Sequence, residues 1–328
     1  MSEAILLNEK QVEALITMKD AINAVEKALK LQAQGKVNMP PKLYLELPEF
    51  GGDYRAMPAY IDGVAGLKFV SVYPGNVDKN IRSVLATIFL CDCNTGSPLA
   101  IMDGTYITNL RTGAAGGIAI KYLARKDSKI IGMVGGGTQA ITQLMAINEV
   151  LPSTKEVKVY DIRKETSWKF VKNMSSMLGL NIIAVDSIEN ACEADIVVTT
   201  TPSRKPVVKK KYIKPGTHIN AIGADAQGKQ ELESLLVKSA KIVIDDYAQA
   251  SHSGEINVPL SEGIIEVKDI YGTLGEVVAG KKRGRENNKE ITMFDSTGLA
   301  IQDMICAKLV YEKASKNKKN NLTTICLG

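Results

Sequence analysis

The run Lys129-Ile130-Ile131-Gly132-Met133-Val134, followed at once by Gly135-Gly136-Gly137-Thr138-Gln139-Ala140, decides the fold of this chain. The first six residues form an apolar run typical of a buried strand, and an amphipathic segment continues from the glycines to Glu149. A second strand pattern occupies residues 157–160, and Asp161 closes it. This order of strand, glycine turn, helix, strand and acid predicts a dinucleotide-binding unit.

Each position in this stretch has a physical reason. Gly135 permits a tight turn, Gly137 lets the backbone approach a pyrophosphate, and the small Ala140 lets the helix pack close to the first strand. The phosphates would lie at the helix N-terminus, where free N–H groups and the helix dipole favour negative charge. Asp161 would bind the ribose hydroxyls and repel a 2′-phosphate, which favours NAD, although Arg163 is close enough in sequence to bind such a phosphate.

Composition excludes several classes of protein. A length of 328 residues favours two domains, and a net charge of +5, from 41 Lys and Arg against 36 Asp and Glu, requires no nucleic-acid partner. No apolar run approaches the roughly 20 residues that span a bilayer. The five cysteines, an odd number, fit reduced thiols in the cytosol, and Cys91-Asp92-Cys93 lacks the second cluster that a zinc site needs. We therefore expect a cytosolic protein with no membrane segment and no metal.

The pattern of elements changes along the chain. Two helical segments precede Pro40-Pro41, and short strand patterns without intervening helices then run from residue 42 to 102, which predicts an antiparallel sheet in an α+β domain at 1–115. Strand and helix patterns alternate over 116–297 and predict a doubly wound parallel (Rossmann) sheet. The fold class is therefore α/β with a second domain of α+β type, and a final helix follows.

Lys68 and Asp225 are the candidates for catalysis. A period of two places Lys68 on the same face as Val70 and Val72, where burial would lower its pKa into the range of a proton donor or acceptor. The alternative is a lysine at a strand end with its amine in water. Asp225 emerges at the carboxyl end of a parallel strand, where open α/β sheets bind ligands, but a helix cap is an equally good reading of such an aspartate.

Two further segments suit a ligand. Arg111 and Thr112 stand where a helix rich in small residues is expected to begin, and the guanidinium would suit a bound anion, although a surface arginine needs no such reason. Thr200 follows the fourth parallel strand and either lines a nicotinamide pocket or is an ordinary β-branched strand residue.

The chain resembles the ornithine cyclodeaminase/mu-crystallin family over nearly its whole length. Within that family the segments 201–208 and 254–258 are most similar to the archaeal-type alanine dehydrogenases. The motifs that carry the resemblance are Lys42-Leu43-Tyr44-Leu45-Glu46, Arg55-Ala56-Met57-Pro58, Gly66-Leu67-Lys68, Leu110-Arg111-Thr112-Gly113-Ala114-Ala115, Gly135-Gly136-Gly137-Thr138-Gln139-Ala140, Asn220-Ala221-Ile222-Gly223-Ala224-Asp225 and the run from Phe294 to Asp303.

This resemblance implies a homodimer that binds NAD in the middle of the chain. The domain at 1–115, completed by a C-terminal helix at 298–328, would bind the substrate and pair with its twin. Lys68 would be the proton donor and acceptor, and Asp225 would position or activate water or amine. The remaining assignments are Lys42, Arg55 and Arg111 for the substrate, and Arg111, Thr112, Gly135, Gly137, Thr138, Gln139, Asp161, Ile162, Arg163, Thr200, Gly223, Ala224, Asp225, Lys229 and Ser296 for the cofactor.

Arg55 separates the members of the family. The family pattern implies that cyclodeaminases carry an acidic residue at this place, to hold the distal ammonium of ornithine, whereas a guanidinium favours a carboxylate. We therefore predict an NAD-dependent L-alanine dehydrogenase that interconverts pyruvate with ammonia and L-alanine. An ornithine cyclodeaminase and a mu-crystallin-like binding protein or cyclic ketimine reductase stay open as alternatives.

Overall fold

The computed structural model of the protein describes residues 3–316 and 322–326. The chain divides into two compact units, Met1–Arg111 with Leu299–Gly328, and Thr112–Gly298. We call the first the mixed-sheet unit and the second the parallel-sheet unit. The sequence placed these divisions at 115/116 and 297/298, whereas the structural units divide after Arg111 and after Gly298.

In the N-terminal third of the chain, one strand and two helices precede six successive strands and a long helix. Capping boxes start both early helices, since Asn8 and Gln11 bond reciprocally and Thr17 and Asp20 do the same. The elements are β1 Glu3–Leu7, α1 Glu9–Leu15, α2 Met18–Ala33, β2 Val37–Asn38, β3 Leu43–Leu47, β4 Gly52–Ile61, β5 Val64–Val72, β6 Val84–Asp92, β7 Pro98–Asp103 and α3 Thr105–Leu123.

The rest of the chain alternates strands with helices before it returns to the mixed-sheet unit. The elements are β8 Ile130–Val134, α4 Thr138–Val150, β9 Glu156–Tyr160, α5 Lys164–Leu178, β10 Ile182–Ala184, α6 Ile188–Cys192, β11 Ile196–Thr199, β12 His218–Ala221, α7 Ser234–Ser239, β13 Lys241–Ile244, α8 Tyr247–Ser253, α9 Asn257–Ser261, β14 Ile270–Thr273, α10 Leu274–Val278, β15 Thr292–Asp295, α11 Ala300–Lys316 and β16 Thr323–Cys326.

The sheet of the mixed-sheet unit has the strand order β16-β1-β7-β6-β5-β4-β2, with β3 also paired to β4. Its pairs are antiparallel except β1 with β7, which is parallel. Helix α11 packs against β4, β5 and β6 and against α2, so that one face of the sheet is covered. The other face exposes apolar side chains, namely Leu43, Leu45, Tyr60, Phe69, Leu85 and Phe89. We call these six residues the outer apolar face.

The parallel-sheet unit is doubly wound, as its sequence pattern predicted. All of its strand pairs are parallel, in the order β10-β9-β8-β11-β12-β15-β13-β14. Two apolar clusters pack around this sheet, one containing α4 and α5 residues such as Leu144 and Phe170, the other α7 residues such as Leu236. The strand order reverses between β8 and β11, and ligands bind at the carboxyl ends of strands at such a point.

Two expectations differ from the structure. The helix expected over 298–328 ends at Lys316. Residues 323–326 instead form β16, which pairs with the edge of β1, because Thr323 and Ile325 are β-branched residues that suit a strand. Residues 317–321 and 327–328 of that expectation lie outside the described part of the chain. Helix α3 begins at Thr105, so Arg111 lies within the helix and not at its start.

No helix in the described ranges is long and apolar enough to cross a membrane.

Candidate active site

Lys68 lies on the covered face of the mixed sheet. In the register of the sheet it stands opposite Met57 on β4 and Ile88 on β6, both of which are buried. Its neighbour Phe69 points to the other face, as the period of two requires. Lys68 is only 1% exposed, so the reading of this lysine as a strand-end residue with its amine in water is wrong.

Helix α11 approaches this strand closely because residue 66 is a glycine. A Cβ at Gly66 would lie 2.6 Å from the sulfur of Met304. Asp303, the residue before Met304, forms an ion pair of 2.8 Å between its Oδ2 and the Nζ of Lys68. The other carboxylate oxygen, Oδ1, accepts a hydrogen bond of 3.0 Å from Nε of Arg111. One buried carboxylate therefore joins the two predicted cations.

These charges change the proton affinity of Lys68. Burial lowers its pKa most, the positive charges of Arg111 and of Lys42 lower it further, and Asp303 raises it, which leaves a pKa of about 7. An amine of this kind is able both to donate and to accept a proton near neutral pH.

Arg55 is buried on the same sheet face as Lys68. Its guanidinium makes a bidentate contact with Asp53, from Nε to Oδ1 at 2.7 Å and from Nη2 to Oδ2 at 3.2 Å, and lies 5.3 Å from the ring centre of Tyr44. Strand β3 places Tyr44 directly opposite Arg55. The plane of the guanidinium is thus fixed by its neighbours.

In the parallel-sheet unit the glycine turn has the expected geometry. Gly135 has a φ of +99°, which L side chains rarely adopt, and its N–H donates to the carbonyl of Tyr160 at 2.8 Å. Gly137 is the N-cap of α4, and a Cβ there would meet nothing within 4 Å. The first helical residue, Thr138, is exposed. This helix N-terminus is open to an anion.

Asp161 ends β9 beside that turn. Its Oδ2 accepts the N–H of Gly136 at 3.0 Å and its Oδ1 accepts the N–H of Arg163 at 2.9 Å. Ile162, which lies between Asp161 and Arg163 in the sequence, is 88% exposed. The carboxylate is therefore anchored to the glycine turn, with an exposed apolar side chain next to it.

Asp225 follows β12 by four residues and is half-buried. Its Oδ1 pairs with Nζ of Lys229 at 2.5 Å. Asn257 holds the same turn, accepting from the N–H of Gly228 at 3.0 Å and donating to the carbonyl of Lys229 at 3.0 Å. Asp225 does not cap a regular helix, since α7 begins only at Ser234.

Glu231 is a buried carboxylate at this edge that the sequence did not reveal. It accepts hydrogen bonds from Oγ1 of Thr199 at 2.6 Å, from N and Oγ1 of Thr201 at 2.6 and 2.7 Å, and from N of Gly223 at 2.8 Å. The segments after β11 and β12 are thereby tied together. Burial raises the pKa of neighbouring Glu255, and the charge of Glu231 raises it further.

The other predicted cofactor residues are distributed over the parallel-sheet unit, except Arg111, which belongs to the mixed-sheet unit. Oγ1 of Thr200 donates to the carbonyl of Gly135 at 3.3 Å, and Thr112, Ala224 and Ser296 are buried. Gln139, the second residue of α4, is half-buried.

Asp303 was missed as a functional residue, although it closes a motif that carries the family resemblance. A carboxylate among the apolar residues of a helix was the available signal, because buried charges need partners. Glu231 offered no signal, since its partners come from two segments that are distant from it and from each other in the sequence, 199–201 and Gly223.

The fold and these sites define a two-unit protein of the dinucleotide-binding oxidoreductase class. The sequence profile of the ornithine cyclodeaminase/mu-crystallin family matches residues 2–318, and the chain belongs to this family.

Relatives in this family resemble the chain over almost its full length. It is 55% identical over 316 residues to the alanine dehydrogenase of Archaeoglobus fulgidus, covering 96% of this chain and 97% of that protein. A solved archaeal alanine dehydrogenase dimer with bound NAD superimposes with a TM-score of 0.95 at 53% identity, covering 99% and 100% of the two chains. The Thermococcus litoralis Delta(1)-pyrroline-2-carboxylate reductase, solved with NADH and L-proline, gives a TM-score of 0.93 at 45% identity over 95% and 98%. The protein is thus an enzyme, an oxidoreductase of this family.

Proposed function

We propose that the protein is an NAD-dependent L-alanine dehydrogenase, which converts pyruvate, ammonia and NADH reversibly to L-alanine, NAD and water. The observation that carries the proposal is the buried Lys68 with a pKa of about 7, set among the cations Arg111 and Lys42. The 55% identity with the alanine dehydrogenase of Archaeoglobus fulgidus supports this substrate.

The residues of the parallel-sheet unit fit NAD. The open N-terminus of α4 suits the pyrophosphate, and Asp161 at the end of β9 suits the ribose diol. The same carboxylate disfavours the 2′-phosphate of NADP, with Arg163 as the residue that opposes this preference. When bound, the cofactor accepts or donates the hydride at C2 of the substrate.

The substrate carboxylate is assigned to Lys42, Arg55 and Arg111. Asp53 and Tyr44 hold the guanidinium of Arg55 in one plane, so Arg55 is preorganised for a planar anion. Asp303 does the same for Arg111.

Proton transfer is assigned to Lys68 and Asp225. In the direction of amination, the Lys68 ammonium donates a proton to the carbonyl oxygen of pyruvate as ammonia adds. The resulting hydroxyl takes a second proton, returned by Asp225, and leaves as water with formation of the iminium. Asp225 accepts the proton that the incoming amine loses. In the oxidative direction, neutral Lys68 takes the proton from the water that attacks the imine.

Reduction of a cyclic ketimine is the second candidate, and the likeness to the Thermococcus litoralis reductase favours it. Such a substrate is already an imine, so it needs the hydride and one proton but no ammonia. An ornithine cyclodeaminase is less well supported. The carboxylate of Asp53 already pairs with Arg55, so this pair offers no net negative charge to the distal ammonium of ornithine.

We also propose a homodimer and a cytosolic location. The outer apolar face suits a second copy of the chain, because monomeric proteins rarely expose so many contiguous large apolar side chains. The five cysteines, all present as free thiols, suit a reducing compartment.

A spectrophotometric screen tests the function. The purified enzyme is given L-alanine, L-ornithine or L-proline with NAD or NADP, and pyruvate with ammonia or pyrroline-2-carboxylate with NADH. We expect L-alanine and pyruvate with ammonia to give the highest kcat/KM, with a preference for NAD. Reduction of the cyclic imine without amination of pyruvate would replace the proposal by its second candidate.

Lys68→Ala sharpens this screen. We expect kcat to fall by roughly 10²- to 10⁴-fold, because general acid and base catalysis is lost, while NADH binding followed by fluorescence stays within about twofold. Lys79→Ala, at the exposed end of the short 3-10 helix Pro74–Lys79 between β5 and β6, is the matched control and should keep full activity. Alanine oxidation at the normal rate by Lys68→Ala would contradict the role assigned to this lysine.

A further inference from the structure

Asp303 occupies a position that packing alone does not explain. It is completely buried on α11, and each of its carboxylate oxygens faces a different cation, Lys68 Nζ at 2.8 Å and Arg111 Nε at 3.0 Å. Gln302, the residue before it, accepts from Nη1 of Arg111 at 3.4 Å. The three charged side chains come from β5, α3 and α11, and all are nearly inaccessible to water.

The other charges that shift the pKa of Lys68 are positive. Arg111 on α3 and Lys42, just before β3, both lower its pKa, and Arg55 on β4 shares its sheet face. On β6 the opposite residue is the apolar Ile88. The thiol of Cys306, also on α11, has its pKa raised by burial and then by Asp303, so it stays neutral. Asp303 is therefore the negative charge that balances this group.

We propose that Asp303 is a positioning residue, which holds the Lys68 amine and the Arg111 guanidinium at a fixed spacing and lets Lys68 gain and lose its proton near neutral pH. The inference rests on the proposed role of Lys68 in proton transfer. Without the carboxylate, an amine that is buried among cations would lose its proton well below neutral pH, and it would no longer be available as an acid.

The sign of the pH effect follows from this charge balance. In the oxidative direction Lys68 must be neutral, so kcat/KM for L-alanine falls as the pH drops through the pKa of about 7. In Asp303→Asn the acid limb of this profile should move to lower pH by roughly one to three units, because an opposite charge at this distance shifts a pKa by that amount.

The experiment compares the pH profiles of wild type, Asp303→Asn, Asp303→Glu and Glu312→Gln. Asp303→Glu keeps the charge, and its acid limb should stay within about half a unit of wild type. Glu312→Gln removes a carboxylate elsewhere on α11, where Glu312 lies 3.8 Å from Lys308, and should leave the limb unchanged. A limb that stays in place in Asp303→Asn, or that moves by a full unit in Asp303→Glu, overturns the proposal.

A second measurement does not depend on the substrate. In protein labelled with ¹³C at lysine Cε, one resonance should titrate near pH 7 and disappear in Lys68→Met. That midpoint should fall in Asp303→Asn and stay near wild type in Asp303→Glu. If the screen shows a substrate other than alanine, this titration still decides the role of Asp303; an unchanged midpoint in a folded Asp303→Asn protein overturns that role alone.

Discussion

Arg55 is the residue on which the proposed choice of substrate depends most. The sequence predicted that Arg55 binds the substrate carboxylate, because a guanidinium stands at the position where a cyclodeaminase would carry an acidic residue for a diamine substrate. The structure adds that Asp53 and Tyr44 already hold this side chain, at 2.7 Å and 5.3 Å. Arg55 is therefore rigidly held in the mixed-sheet unit, with one partner charge of its own.

Arg55→Ala should raise the KM for pyruvate and for L-alanine by roughly 10- to 100-fold and change kcat much less, since one charged hydrogen bond contributes about 1.5 to 3 kcal/mol. Steady-state kinetics at saturating NAD or NADH measures this. Glu46→Gln, directly opposite Asp53 on β3, is the matched control and should leave both constants unchanged. An equal loss of kcat and kcat/KM would instead show that Arg55 acts in the transition state alone.

At the scale of elements, the glycine turn between β8 and α4 is where local sequence and tertiary packing agree best. The positive φ of Gly135 is a backbone demand that the sequence discloses, because glycine adopts it without a steric cost. Tertiary packing adds a second demand at the same residue. A Cβ there would lie 2.8 Å from Oγ1 of Thr200, which follows β11.

In Gly135→Ala the added Cβ should shift the turn at which the pyrophosphate is expected to bind. We expect NADH affinity to fall by roughly tenfold or more, which corresponds to a loss of about 1.4 kcal/mol of binding free energy. Gly179→Ala is the matched control, since Gly179 also has a positive φ, +67°, but open space around it. The control should lose about 1 to 2 kcal/mol of stability through backbone strain and bind NADH normally. Fluorescence titration and thermal unfolding separate the two effects, and equal NADH affinity in both variants would count against the turn as the pyrophosphate site.

At the scale of the whole molecule, the outer apolar face is the feature that a single chain leaves exposed to solvent. The inner residues of the same strands are buried under α11, which in turn packs against α2, so the alternation of β5 and β6 produces two apolar faces of which α11 covers one. A second copy of the chain would cover the other face by the same hydrophobic effect.

Phe69→Asp combined with Phe89→Asp should convert the dimer to a monomer, because two carboxylates on this face would have to be buried without partners. Light scattering after size-exclusion chromatography should show the mass fall from twice the chain mass to the 35.5 kDa of one chain. Trp168→Asp, on the exposed side of α5, is the control and should stay dimeric. A double variant that remains a dimer would place the interface elsewhere.

Short-range patterns account for what the sequence determined by itself. The apolar run at 129–134, the glycines after it and Asp161 lie within one βαβ unit, so their spacing alone predicted the doubly wound sheet and its dinucleotide edge. The alternation around Lys68 predicted its face in the same way. These features depend on periodicity and backbone conformation, which act between near neighbours in the chain.

Tertiary structure alone decided which distant charges meet. Asp303 contacts Lys68, 235 positions away in the sequence, and Arg111, 192 positions away. The first contact forms because Gly66 lets α11 approach β5, and the second because the second turn of α3 brings Arg111 to the same carboxylate. The bidentate pair of Asp53 with Arg55, the ties that Glu231 makes between two strand ends, and the strand at 323–326 are of the same kind. No local pattern specifies such contacts, because each one is set by the packing of elements that are distant in the sequence. It is this packing that lowers the pKa of the buried Lys68 to about 7.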